Sequence, residues 1–358
     1  MIIHNCHAHV FTIKNVPDHF LPFGLVRLLM IYHLTRPLAR LLNKLNPFSD
    51  KDTFDRYARF IKQGDQSSQE DILKGLMKYY PGDTKYVVLS VDMDYMEAGK
   101  APLGFEEQIK ELAALKKKNP DNIYPFVCAD PRRPQLLDLV KRNIETEGFK
   151  GIKLYPPMGF YPFDERLYPV YEYAEKNQIP IVTHCKKKSR VVFRGDIPES
   201  WLTHPKTGQT LEKTTNQDFS ANFTDPDNYL YLLNDFNHLK ICFAHFGGEE
   251  EWKIYQDEED PAKFEKSWYK RIKGILMNPK FPNTFADISY TLADFDLVAL
   301  LNVTLQIPQI REKVLFGSDF YFSNIEGTEY RFGIELRKEL GEDNFRQIAE
   351  INPKRFLG

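Results

Sequence analysis

The stretch IIHNCHAHVF, residues 2–11, carries His4, His7 and His9 within six positions. In an extended strand successive side chains point to opposite faces, so Asn5, His7 and His9 are expected on one face and His4, Cys6 and Ala8 on the other. His7 and His9 then form a pair able to share a ligand, while His4 and Cys6 point away from it. A lone HxH pair is ambiguous, because a buried histidine is more often hydrogen-bonded than ligating. Further groups sharpen the reading: Lys153 in GIKLYPP, His184 in IVTHC, His245 in CFAHFGG and Asp319 in FGSDF each stand near the end of a strand-like run. Neutral imidazoles and a carboxylate suit Zn²⁺ or another borderline divalent ion, and three or four protein ligands with one open position make a catalytic rather than a structural site. Such an ion lowers the pKa of its water from about 15.7 to about 7. A remaining carboxylate can then carry the proton to the leaving group, and a nearby histidine can polarise the substrate carbonyl.

These groups need a scaffold that brings distant strand ends to one place. Eight runs rich in β-branched or aromatic residues are present: IIHNCHAHV, KYVVLSVDM, NIYPFVCAD, GFKGIKLYP, IPIVTHC, LKICFAHF, TFADISY and KVLFGSDFY. Most are separated by helical patterns such as GFEEQIKELAALKKKN, RPQLLDLVKRNIETEG and ERLYPVYEYAEKN, which show apolar stripes and, in the second, a closing glycine. Eight such alternations predict a single α/β domain over residues 1–358, a (β/α)8 TIM barrel whose active face lies at the C-terminal ends of the strands.

Two segments exceed ordinary connections. A helical insertion is expected after the first strand, at about residues 11–65, and a long loop after the fifth, at about 186–238. Between the first two strands Ser67 and Glu70 have capping-box spacing, which predicts a crossover helix there. The segment HFLPFGLVRLLMIYHLTRPLARLLNKLNPF holds no acidic residue; Arg36, Arg40 and Lys44 line one helical face and Leu38, Leu41, Leu42 and Leu45 the other. It reads as amphipathic rather than transmembrane: a lid over the barrel mouth, then a subunit interface as in a homodimer, then membrane-surface contact, in decreasing order of expectation.

Composition narrows the partners. A net charge of -2, from 48 basic and 50 acidic residues, creates no global field for nucleic acid, and no nucleic-acid module is recognisable. Four widely spaced cysteines, Cys6, Cys128, Cys185 and Cys242, read as reduced and buried. The first strand begins at once, leaving no room for a leader peptide, so a cytoplasmic protein is expected.

Together with HxH, the strings GFKGIKLYPP, DERLYPVYEYAEKNQIPIVTHC, LKICFAHFGG, VLFGSDF and the terminal NPKRFLG occur in an order and spacing that resemble the amidohydrolase superfamily. The branch it is similar to is amidohydrolase-2, which holds aminocarboxymuconate-semialdehyde decarboxylase-like enzymes and related lactonases. The resemblance covers nearly the whole chain. It implies that His7, His9, His184 and Asp319 bind a single metal, with one Zn²⁺ per chain expected, that His245 sits beside the metal's water or the substrate, and that Asp319 and His245 do the acid–base work. KLYP also resembles the dihydroorotase branch, where the lysine is carboxylated and bridges two metals. Bridging a binuclear site, binding a substrate carboxylate and plain packing therefore stay open for Lys153, the unmodified lysine being favoured because four other ligands complete one site.

After His184 comes CKKKSRVVFR, with Lys186, Lys187, Lys188, Arg190 and Arg194 at the start of the long loop. A solvated basic face is the plain reading, yet a cation this close to a ligand favours a small anionic substrate. Lys186, Arg190 and Arg194, with Tyr155 and Tyr321, are the substrate-binding candidates. The leading expectation is a metal-dependent hydrolase of a lactone, ester or amide bond in a small carboxylate-bearing molecule. A nonoxidative decarboxylase is the alternative, and a catalytically silent binding barrel is disfavoured by the full ligand set. The two insertions are longer than the family core needs, so the resemblance does not carry a substrate.

Overall fold

The computed structural model describes residues 1–20, 53–257, 259–323 and 329–358. Most of the amphipathic segment expected over residues 20–48 lies outside them. Among the described residues no helix is long and apolar enough to cross a membrane.

Eight parallel strands follow one another around a single sheet: β1 His4–Ala8, β2 Lys85–Leu89, β3 Ile123–Cys128, β4 Gly151–Leu154, β5 Ile181–Lys186, β6 Ile241–Gly247, β7 Thr284–Asp287 and β8 Val314–Leu315. A parallel bridge between Ala8 and Phe320 joins the last strand's extension to the first and closes the barrel. Six of the strands fall inside β-like runs of the sequence, and β5 and β6 overrun theirs by one residue, at Lys186 and Gly247. The runs are apolar and nearly continuous because a parallel barrel buries both faces of every strand.

The two faces pack differently. Cys6, Val87, Leu89, Phe126, Val182, Cys242, Ala244, Phe285 and Leu315, taken at alternate positions along the strands, form one compact cluster with Phe356 and Leu357 of the last helix. This is the plug inside the barrel. The intervening residues, among them Tyr86, Val88, Ile152, Leu154, Phe243 and Val314, join the larger core under the helices. Continuing the inward rhythm of β4, β5 and β7 beyond the plug puts Lys153, His184 and Asp287 into the barrel mouth.

Plain alternation does not describe β1. The β1–β2 register shifts between Asn5 and Ala8, so Cys6 belongs to the interior plug and Ala8 to the outer core, and the two do not share a face as expected. The same irregularity lets His7 turn inward directly after Cys6.

The connections carry two corrections to the sequence reading. The helix before β2 runs Gln69–Met77 and is capped by Ser68, whose hydroxyl accepts from Asp71 N, not by Ser67 with Glu70. The excursion after β5 is not a bare loop. It holds short helices at Asn216–Phe219 and Ala221–Thr224, the crossover helix Asn228–Asp235, and a small apolar core of Ile197, Phe219 and Phe223 packed with Trp201, Leu202 and Leu211. Trp201 reaches the barrel only because Gly159 has no side chain: a Cβ there would lie 2.2 Å from the indole.

Candidate active site

His7 on β1 and His9 just beyond it turn their Nε2 atoms toward each other, 3.3 Å apart. Asp319, on the bend after β8, places Oδ1 3.6 Å from each of them. All three side chains are buried, and their ligand atoms lie within 4.8 Å of one another.

The remaining hydrogen bonds decide which ring nitrogens carry protons. His9 Nδ1 is 2.9 Å from the carbonyl oxygen of Leu89, which can only accept, so Nδ1 donates and Nε2 presents a lone pair. His7 Nδ1 is 2.9 Å from Asp287 Oδ2 and donates in the same way. Burial, reinforced by Lys153 at His7 and by His7 itself at His9, holds both imidazoles well below the ordinary histidine range, so they are neutral. Two lone pairs therefore face each other across from a carboxylate oxygen that has no hydrogen-bond partner. Two facing lone pairs beside a buried carboxyl group are costly together unless a proton or a cation stands among them. The donor set fits a divalent metal.

Asp287 was not singled out from the sequence, yet it organises this side of the barrel. Its Oδ1 accepts from the backbone N–H of His245 and of Ser289, each at 3.0 Å, and from the Ser289 hydroxyl. Its Oδ2 accepts from His7 Nδ1. One carboxylate thus orients histidines from two strands, the usual role of an outer partner to a ligating imidazole. The available signal was its inward parity with Phe285 in TFADISY.

His184 and His245 form a second pair. His184 Nδ1 lies 3.2 Å from His245 Nε2, His184 Nε2 is 2.7 Å from Ser189 Oγ, and His245 Nδ1 is 2.9 Å from the Ser289 carbonyl. His245 follows inward-facing Ala244 and would point to the helices in a regular strand. A positive φ of 67° swings it back into the mouth. Asp319, with φ 57°, and Tyr290, with φ 59°, are held in the same sparsely populated region, so strain concentrates on the rim of the cavity. The structure thus gathers His7, His9 and Asp319 in one group and His184 with His245 in an adjoining one. Lys153 is fully buried, its Nζ has no hydrogen-bond partner among the described residues, and burial pushes its pKa down to about 8.

The amidohydrolase family model matches residues 5–358 of this sequence. The chain belongs to the amidohydrolase family, in its amidohydrolase-2 branch. Solved structures of similar fold include 5-carboxyvanillate decarboxylase from Sphingomonas paucimobilis, at 12% identity and a TM-score of 0.56, covering 99% of this chain and 98% of that one. They also include 4-oxalomesaconate hydratase from Rhodopseudomonas palustris, at 17% identity and a TM-score of 0.53, covering 99% and 95%. The 5-carboxyvanillate decarboxylase of Novosphingobium aromaticivorans, a structure with bound manganese, has 13% identity and a TM-score of 0.56, covering 99% and 96%. At these identities the likeness is one of fold. No curated protein matches the sequence.

In this family member His9, His184, His245 and Asp319 border a cavity of about 350 Å³, the size of a small-molecule site, with His7 behind them. Tyr155 lines it, its ring 4.6 Å from that of His184. Lys186, Lys188 and Arg190 line it as well, on the wall opened by the long excursion. Tyr321 is turned away and stacks on Phe11 at 4.4 Å, because its φ of 102° redirects the chain, and the neighbouring Phe322 borders the cavity instead. Arg194 stands outside the lining, donating to the Arg190 carbonyl with its guanidinium over Phe20. Tyr290, unmarked in the sequence, completes the wall beside Lys186.

Proposed function

We propose that this amidohydrolase is a metal-dependent hydrolase that opens a lactone, ester or amide bond in a small carboxylate-bearing molecule. The observation that carries this reading is the convergence of two lone-pair-bearing imidazole nitrogens, His7 Nε2 and His9 Nε2, with Asp319 Oδ1 beside a cavity of small-molecule size. A divalent ion such as Zn²⁺, held by His7, His9 and Asp319 with His184 as the fourth candidate ligand, would polarise a carbonyl oxygen and make water a nucleophile at neutral pH.

The chain's own groups supply the remainder. Asp319, its carboxyl pushed well above the usual range by burial and by Asp287, is able to take a proton at the reacting centre and return it to a leaving group. His245 is fixed as the Nδ1–H tautomer by the Ser289 carbonyl, which leaves Nε2 free of its own proton and directed into the mouth toward His184. That orientation suits a group that accepts a proton near the reacting carbonyl. Lys153 Nζ, buried without a hydrogen-bond partner among the described residues, can donate to an oxygen of the substrate.

Nonoxidative decarboxylation is the second reading. Flat walls from Tyr155, Tyr290 and Phe322 accept an aromatic acid, and two of the similar folds are 5-carboxyvanillate decarboxylases. In that reading the same acid–base groups protonate the carbon that loses its carboxylate. Metal analysis of purified protein followed by a screen of lactones, amides and aromatic acids separates the two. Incorporation of one oxygen from labelled water into the product supports hydrolysis, release of CO₂ or bicarbonate supports decarboxylation, and a protein that takes up no zinc overturns both.

A further inference from the structure

Three of the cations that follow His184, Lys186, Lys188 and Arg190, line the cavity wall. Lys187 reaches buried Glu251 at 2.8 Å, and Lys188 reaches Glu250 at 3.2 Å, so both are neutralised locally. Lys186 is different. Its Nζ lies 4.0 Å from the centre of the Tyr290 ring, and no carboxylate among the described residues stands within ion-pair distance of it. The Arg190 guanidinium approaches the same ring at 5.9 Å, so two like charges stand at one aromatic ring on the cavity wall.

The backbone around this pair is shaped to hold it. The Lys186 stem lies against Gly248, where a Cβ would fall 2.7 Å from the lysine Cγ, so no other residue leaves room for the stem to lie flat along the wall. Tyr290 carries its ring there at the expense of a left-handed backbone conformation unusual for an aromatic residue. An aromatic face stabilises a cation without neutralising it, which leaves the charge available to a ligand.

We infer that Lys186, seated on Tyr290 beside Arg190, is an anchor for a substrate carboxylate that is separate from the reacting bond. The substrate is then an acid whose carboxylate meets the wall between β5 and β6 while its labile group reaches the His7, His9 and Asp319 side. This rests on the hydrolase reading only in where the reacting bond lies, because the anchor itself is read by binding without turnover.

The test is calorimetric binding of benzoate and of uncharged benzamide to metal-loaded wild-type protein, Lys186→Gln and Lys186→Arg, with metal content measured on the same samples. Lys186→Gln is expected to weaken benzoate by about 10- to 100-fold, the scale of one hydrogen bond to a charged group. Lys186→Arg should restore most of that loss, and benzamide should bind all three proteins alike. Unchanged benzoate binding in Lys186→Gln overturns the anchor, since benzoate would then be held at the metal alone. Equal weakening of benzamide, or loss of metal from Lys186→Gln, overturns it too. If benzoate behaves as expected while no lactone, ester or amide is turned over, the anchor stands and the hydrolase reading falls.

Discussion

The two sides of the barrel mouth are built by opposite means. On the β1–β8 side the groups are held by the backbone itself: Asp319 N donates to the His7 carbonyl at 2.9 Å, and His9 N donates to the Phe320 carbonyl at 2.9 Å. Asn5 clamps the bend from below, its Nδ2 donating to Ser318 Oγ at 2.8 Å and its Oδ1 accepting from Ser318 N at 3.1 Å. On the β5–β6 side, His184 leans on Ser189 and on the His245 ring, which is itself held by the Ser289 carbonyl, a long excursion with its own small core stands beside them, and the wall is lined by lysines, an arginine and glutamates. Main-chain bonds cannot drift without unmaking the barrel, whereas side-chain walls can vary with the loop that carries them. On the proposed function this difference amounts to a division of labour, with a fixed chemical centre on one side and ligand selection on the other.

Breaking the fixed side should give the largest effect. Replacing His7 or His9 with alanine is expected to strip the metal and abolish turnover, while His4→Ala keeps the metal, because the His4 ring is bonded to the Ile2 carbonyl away from the mouth. Elemental analysis of the three purified variants reads this directly, and metal loss confined to His4→Ala would invert the assignment. Next in size, Asp319→Asn should lower turnover by about 10²- to 10⁴-fold, the usual range for lost acid–base catalysis, with weakened metal binding. His245→Asn should lose comparable activity while keeping one metal per chain. If His245→Asn and Lys153→Ala each reduce the content from two ions to one, the site is binuclear and Lys153 is its carboxylated bridge.

Smaller effects sharpen the contrast. Asp287→Asn leaves the ligating atoms in place but removes the acceptor that orients His7, so metal affinity should fall by about 10- to 100-fold, measured by competition with a chelating dye. Asn5→Ala removes the clamp and one long backbone hydrogen bond from His7 N, leaving the ligating side chains themselves unchanged. It leaves Ser318 N without its acceptor in a buried site and takes one of the donors from Ser318 Oγ, a loss of about 1 to 3 kcal/mol read as a lower midpoint in denaturant unfolding. Changes on the opposite wall, by contrast, should move ligand affinity with little change in that midpoint.

Much of this was legible in the residues. The eight β-like runs mark the eight strands, to within one residue at the ends of β5 and β6, because a doubly buried parallel strand is largely apolar, and HxH, Lys153, His184, His245 and Asp319 stood out because titratable groups are rare inside such runs. What escaped were properties of the backbone and of distant pairing. Ser67 and Ser68 each have an acid three residues on, so spacing alone does not choose between them. Asp287 looks like one polar residue in a short strand until its partners on β1 and β6 are known. The inward turn of His245, and the exchange of Tyr321 for Phe322 at the cavity, follow from positive φ angles that a non-glycine sequence does not advertise. The irregularity in β1 kept His7 and His9 together although the alternation that predicted their pairing fails at Cys6 and Ala8.

The Asn5–Ser318 clamp joins residues 313 positions apart. Contacts of such span are the slowest to form, because the entropy of closing a long loop must be met before any of its bonds is gained. His7 and Asp319 cannot meet until that clamp region has assembled. The seam between the two ends of the chain is therefore expected to form late during folding, and a barrel arrested short of closure would hold nearly all its strands yet possess no centre. Catalytic competence in this architecture reports completion of the fold.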